Sequence, residues 1–264
     1  MSFRLTILGC GTSSGVPRIG NDWGTCDPDE PRNCRTRVSI VVESPTTRLL
    51  IDTSPDMRAQ FLAARIVDLD AVLWTHDHAD HCHGLDDLRQ VYHHRGSPVP
   101  AYARAETLRR LRQRFAYAFD GRGGYPPIIE DHALPDQLSI GDIEICCVDQ
   151  PHGDISSTGF RFTYGGNSIG YATDFHEITP DMLLLYDRLD IWVVDALRAK
   201  PHPTHSHLGL TLEGIALARP ERAILTHMDN SMDYATLRRT LPDGVEPGYD
   251  GMVVELDARK GEGG

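Results

Sequence analysis

The segment 73–89, LWTHDHADHCHGLDDLR, places four histidines and four aspartates within seventeen residues. His76, His78, Asp80 and His81 come directly after the apolar run AVLWT (71–75), which reads as a buried strand. A strand fixes where the following loop begins, and the loop can turn imidazole nitrogens and carboxylate oxygens toward a common centre. Those donors suit Zn, Mn or Fe and need no cysteine. By spacing, His76 and His78 reach one ion, while Asp80 and His81 reach a second beside it. The competing reading is a solvated polar loop, or histidines capping a helix expected over 84–94. Metal chemistry demands a fold that brings further ligands to the end of this strand.

Three residues in a recurring context meet that demand. His152 follows a strand expected over 142–150, Asp174 ends IGYATD, and His227 ends AILTH. Functional groups gather where strands of a rigid scaffold run out into loops. Together with the cluster these residues complete two coordination spheres if Asp174 bridges the ions. Asp52, ending LLID, fits a carboxylate that orients ligand histidines. It fits equally a turn aspartate before a helix over 55–64.

The rest of the chain alternates short elements. Strands are expected at 4–9, 37–44, 47–52, 99–103, 138–150, 158–164, 168–173, 189–196, 223–227 and 252–256. Helices are expected at 106–118, 178–186 and 210–218, with Thr179 as N-cap and Pro180 in the first turn of the second. This alternation fits two sheets sandwiched by helices or a doubly wound sheet. No repeat or linker divides the chain, so residues 1–256 are expected to form one domain, followed by a polar, disordered tail over 257–264. The formal charge of −12 opposes a nucleic-acid or anionic-membrane binder. Without a membrane-length apolar run or a signal-peptide pattern, a cytoplasmic protein is expected, with Cys10, Cys26, Cys34, Cys82, Cys146 and Cys147 as thiols.

The ordered series Asp52, HDHADH (76–81), His152, Asp174 and His227 resembles the five motifs of the metallo-β-lactamase superfamily. The resemblance spans nearly the whole chain. It implies an α/β fold of the four-layer αββα type with a two-metal hydrolase site at one edge. His76, His78, His152 and Asp174 then match the ligands of one ion, and Asp80, His81, Asp174 and His227 those of the other. GCGTSSGVPRIG (9–20), HGLDDLR (83–89), HSHLGL (205–210) and GYDGMVVEL (248–256) resemble the phosphoribosyl cyclic phosphate phosphodiesterases of the carbon–phosphorus lyase pathway. That family carries an additional structural zinc on closely spaced cysteines and a late histidine. Here Asn21, Trp23 and Asn230 stand at the matching positions, with Cys26 and Cys34 left over, so no structural zinc is expected.

The expected function is that of a dinuclear metal-dependent hydrolase, a phosphodiesterase for a small cyclic or nucleotide-like substrate. Two Zn or Mn ions about 3.5–4 Å apart would bridge a water and bring its pKa near neutrality, giving an attacking hydroxide. His207 matches the family's general acid, with His205 as the fallback. Asp80 and Asp52 are set beside it as catalytic carboxylates. Ser13 and Ser14, in a loop that either cradles phosphate or simply reverses the chain, are candidate substrate contacts. Arg89 is another, unless it is an ordinary surface arginine. The segment 117–127 reads as a flap or as core packing, and the basic helix before it as a solvated face or an anion guide. The alternatives are RNA processing, lactone, thioester or β-lactam hydrolysis, and metal binding without turnover. A homodimer is the candidate assembly.

Overall fold

Along the N-terminal strands, successive apolar residues belong to two different cores. The computed structural model, which describes residues 2–257 and 259, forms β1 (Ser2–Gly9), β2 (Ser39–Glu43), β3 (Arg48–Ile51), β4 (Ala71–Leu73), β5 (Val99–Ala103) and β6 (Ile129–Ala133). Ile40, Val42, Leu49, Ile51, Ala71 and Leu73 join one buried cluster; Val41, Leu50 and Val72, between them, join another. Side chains alternate faces along a strand, so such unbroken apolar runs require a sheet covered on both sides.

The outer cover comes from the helices α1 (Met57–Ala64), α2 (Ala79–Cys82), α3 (Leu88–Arg95) and α4 (Ala105–Asp120). Met57, Phe61, Cys82, Leu88, Val91, Leu108 and Leu111 close that side. The second sheet contains β7 (Gln137–Ile140), β8 (Ile143–His152), β9 (Ile155–Tyr164), β10 (Asn167–Ala172), β11 (Ile191–Asp195), β12 (Arg222–Thr226) and β13 (Val245–Pro247). Its spatial order is β13-β12-β11-β10-β9-β8-β7. A last strand, β14 (Val253–Asp257), returns to pair with β1 and completes the first sheet as β14-β1-β2-β3-β4-β5-β6. The helices α5 (Pro180–Tyr186), α6 (Leu208–Ala218) and α7 (Tyr234–Thr240) pack on the second sheet through Met182, Tyr186, Ala218 and Leu237. The result is the expected four-layer αββα sandwich in a single domain.

Two sets of parallel pairings position the functional edge. β3 runs parallel to β4, and β10, β11 and β12 run parallel to one another. Parallel strands end on the same side, so residues that follow them share one edge of the sandwich.

Several expected elements differ. The helix expected over 84–94 opens as a 3₁₀ turn at Leu85–Asp87 and continues as α3 to Arg95. Gly84, just before that turn, sits so close to the Ser54 carbonyl that a Cβ there would lie 2.0 Å from its oxygen. The strand over 138–150 is a hairpin, β7–β8, turning at Gly141 with φ +55°. Helix α4 extends to Asp120, so the first four residues of the segment 117–127 are helical, and Phe119 packs against Trp74 with ring centroids 6.5 Å apart, as the core-packing reading has it. The strands β6 and β13 and the helix α7 were not anticipated. Asp257, set with the tail, pairs with Ser2 inside β14, and the Arg259 N–H donates to the Gly165 carbonyl. The remaining tail residues, 258 and 260–264, lie outside the described residues. Among the described residues, no helix is long and apolar enough to cross a membrane.

Candidate metal centre

The strand ends deliver their residues to one buried point. Asp52 follows β3, the loop carrying His76 and His78 follows β4, His152 closes β8, Asp174 follows β10, and His227 follows β12. Asp52, Asp174 and His227 take left-handed backbone conformations, with φ of 65°, 57° and 59°. For residues other than glycine such a conformation costs about 1–3 kcal/mol, and it is tolerated where the surrounding structure holds it for a functional purpose. His78 sits at the N-cap of α2, whose single turn carries Asp80 and His81.

Asp174 is the hub. Its Oδ2 lies 3.6 Å from His76 Nε2, 3.4 Å from His152 Nε2 and 3.7 Å from His205 Nδ1. Its Oδ1 lies 3.3 Å from His81 Nε2 and 3.5 Å from His227 Nε2. Asp80 Oδ2 completes the second side, 3.5 Å from His81 Nε2 and 3.4 Å from His227 Nε2. His76, His78, His152 and Asp174 thus offer ligand atoms within 4.8 Å of one another, and so do Asp80, His81 and His227.

The far sides of three of the rings are held separately. His152 Nδ1 donates to the Thr204 carbonyl at 2.7 Å, His81 Nδ1 to Asp52 Oδ2 at 2.7 Å, and His76 Nδ1 contacts Thr75 Oγ1 at 2.9 Å. Asp52 in turn accepts from the Thr75 N–H at 2.8 Å and from its hydroxyl. The inward Nε2 atoms of His76 and His81 are buried without a hydrogen-bond partner among the described residues. Orphaned buried nitrogens aimed past a shared carboxylate are costly unless a cation sits among them, so the donor set fits divalent metal.

The electrostatics agree. Burial, with the neighbouring rings, holds His76 well below the ordinary imidazole range, and burial lowers His152 too. Both therefore keep the neutral form that a ligand needs. Burial alone would raise Asp174, but His227 and His81 outweigh it and hold its carboxyl well below the usual range. Burial likewise opposes the charge on His227, but Asp174 and Asp195 lift it to about 9.

Asp195 was missed by sequence reasoning, and His205 entered it only as the fallback acid. Asp195 ends β11, is fully buried, and accepts from the Asp174 N–H at 2.9 Å. The same strand-end rule that selected Asp52 and Asp174 would have found it in IWVVD. His205 Nδ1 lies 3.4 Å from Asp195 Oδ2, and its ring stacks on His227 at 5.0 Å. His207, the preferred acid from sequence, is not brought to the cluster. It is the N-cap of α6, its ring lies over Gly209 on the first helical turn, and its side chain has no polar or ring partner among the described residues.

The candidate substrate contacts stand outside the cluster. Ser13 and Ser14 are exposed on a loop whose Thr12 N–H donates to the carbonyl of Met228, next to His227. Neither serine hydrogen-bonds to the cluster. Arg89 pairs with Asp86 at 2.8 Å and, with Tyr117, Arg122 and Tyr125, lines a cavity of about 260 Å³. Near Cys26, the buried Arg35 guanidinium reaches the Cys26 Sγ at 3.9 Å, Asn33 Oδ1 at 3.3 Å and the Asp229 and Met232 carbonyls. An arginine thus cross-links the segment where no structural zinc was expected.

Residues 47–228 match the family model described as the beta-lactamase superfamily domain. The chain is 35% identical to a solved diphosphatase from the PhnP family, with a TM-score of 0.87 over 97% of this chain and 98% of that one. It shares the fold of Zn²⁺-bound PqqB from Methylobacterium extorquens, at 20% identity and a TM-score of 0.76 over 96% of this chain and 100% of that one. An octanoyltransferase of Porphyromonas gingivalis (strain ATCC BAA-308 / W83) is 31% identical over 97% of this chain and 52% of its own length. The chain spans about half the length of the curated relatives it matches. With the family model and the fold in agreement, the chain belongs to the beta-lactamase superfamily, and its clustered His/Asp donors fit divalent metal.

Proposed function

We propose that the chain holds two divalent ions, Zn or Mn, and hydrolyses a small phosphodiester of cyclic or nucleotide-like type. The observation that carries this reading is the division of Asp174. One oxygen faces the rings of His76 and His152, and the other faces those of His81 and His227. His76, His78, His152 and Asp174 would hold one ion, and Asp80, His81, Asp174 and His227 the other. Such a pair of ions supplies Lewis acidity and an activated water to an in-line displacement at phosphorus.

The chain's own residues do the rest. Asp52 fixes the tautomer and direction of His81. Asp195 holds the Nδ1 side of His205, which leaves the Nε2 side to hand a proton to the leaving alkoxide. Imidazole is the side chain most often used for such transfer near neutral pH. His205 therefore takes the role that the sequence assigned to His207.

The 35% identity to a PhnP-family diphosphatase favours a second reading, in which the bond cleaved is a diphosphate linkage. Both reactions transfer a phosphoryl group and make the same demands on the centre. The net charge of −12 favours a small substrate over a polyanionic RNA. The acyl transfer in the name of the Porphyromonas relative is not carried over, since the match covers about half of that protein. Six free thiols suit the reducing cytoplasm.

The test is a panel: bis-(p-nitrophenyl) phosphate, a cyclic ribose phosphate, a nucleoside diphosphate, a precursor tRNA, a lactone and a β-lactam, each with Zn and with Mn. Turnover of the cyclic or p-nitrophenyl diester is expected. Turnover of the diphosphate alone would select the second reading. Turnover confined to tRNA, the lactone or the β-lactam, or none in any arm, would overturn both.

A further inference from the structure

The metal loop is gripped from outside by a helix that the site itself does not use. Asp77 stands between His76 and His78, and its carboxylate points away from the cluster into the first sheet's outer layer, where its side chain is 4% exposed. A buried carboxylate needs a partner. Two arginines one turn apart on α4 provide it. Arg110 reaches Asp77 Oδ1 at 3.3 Å, and Arg114 grips both Oδ2 and the Asp77 main-chain carbonyl. Cys82 Sγ adds a contact to the same carbonyl at 3.4 Å. One turn of the guanidinium fork therefore restrains backbone and side chain of a single residue at once.

The same helix touches the other end of the loop. Phe115, next to Arg114, leaves helical geometry at φ −122°, ψ 34°. Its ring meets His83 edge-on at 5.7 Å. The segment from Asp77 to His83 carries His78, Asp80 and His81, so α4 holds it at both ends. The sequence alone gave this basic helix no role beyond a solvated face or an anion guide.

We infer that Arg114, assisted by Arg110, is a positioning residue that sets the metal loop from behind through Asp77 and so tunes cation affinity at His76 and His78. The inference rests on the two-ion reading above. A guanidinium can span carboxylate and carbonyl together, whereas an ammonium is a point charge that serves one at a time. The chemistry thus favours arginine over lysine at this position.

The metal-loaded protein tests this by competition with a chromogenic chelator, alongside turnover at limiting and at saturating metal. Arg114→Ala is expected to weaken one of the two ions by about ten- to a hundredfold, as loss of a supporting contact does. Turnover is expected to return when metal is in excess. Arg114→Lys should fall between the two. Arg109→Ala, which removes an arginine of α4 that pairs with Glu106 rather than with Asp77, should match the parent. A folded Arg114→Ala that holds both ions as tightly as the parent overturns the inference. If Arg114→Ala does not fold, Asp77→Asn is read in the same way, and parental affinity there overturns it equally. A parent protein that takes up fewer than two ions refutes the two-ion reading instead, and so keeps the two failures apart.

Discussion

His81 Nδ1 lies 2.7 Å from Asp52 Oδ2, and neither side chain is accessible to solvent. The contact fixes which nitrogen of His81 carries the proton and leaves Nε2 facing Asp174 and Asp80. Asp52 also accepts from the Thr75 N–H, so an amide cannot satisfy both neighbours as the carboxylate does. Asp52→Asn is expected to weaken metal binding by about ten- to a hundredfold. Chelator competition reads this directly, and unchanged affinity would show that His81 is oriented by other means.

His205 and His207 are separable by a single pair of variants. Removal of a general acid costs about 10²–10⁴ in turnover. His205→Ala is expected to lose that much while retaining its metal, because Asp80, His81, Asp174 and His227 remain to hold the neighbouring ion. His207→Ala is expected to stay near the parent, since its ring rests on the α6 turn. Elemental analysis beside a diester assay decides between them. A fall in metal content in His205→Ala would make His205 a ligand rather than a proton donor.

How much of this was legible depended on range. The αββα layering could be read because both faces of each sheet are covered, which writes continuous apolar runs such as AVLW and IWVV into the chain. The strand-end residues could be read because a chemistry-bearing side chain directly after such a run has few structural reasons to be there. The strand β6, IEDHA, was missed because it is an edge strand with a polar sequence, recruited by pairing with β5 rather than by its own propensity. Choosing between His205 and His207 required knowing where α6 begins, and helix ends are set by tertiary contacts that one sequence does not display. The tie between α4 and Asp77 spans more than thirty residues, and nothing in local spacing encodes it.

The carboxyl of Asp250 offers a test away from the metal centre. It accepts from the Cys10 and Thr36 N–H groups at 3.0 and 2.7 Å, yet burial outweighs these bonds and lifts it from 3.8 to about 6. Below about pH 4 the group is protonated in both folded and unfolded chains and contributes nothing. As pH rises, the unfolded chain ionises first, so the folded state loses relative stability until the folded carboxyl ionises too. The loss is complete above about pH 6 and amounts to at most about 3 kcal/mol. Urea unfolding of the parent and of Asp250→Asn should therefore show the parent losing ground to the variant between about pH 4 and pH 7. A difference that stays flat with pH would mean that Asp250 ionises as easily folded as unfolded.

Metal uptake should release protons at neutral pH. Burial disfavours charge on His227 and His81, but Asp174 prevails at both, helped by Asp195 at His227 and by Asp80 at His81. His227 is thereby lifted to about 9, and His81 is raised well above its usual value. A protonated ring nitrogen has no lone pair to give, so a cation must displace the proton to bind there. Below about pH 9, each proton displaced makes affinity rise tenfold per pH unit, and the dependence on His227 flattens above that pH. Calorimetric titration at pH 7 in two buffers of different ionisation enthalpy would count the protons, with at least one per chain expected. A count of zero would show that His227 and His81 are neutral before the metal arrives. The carboxylates around Asp174 would then leave these two rings without the positive charge that their geometry assigns to them.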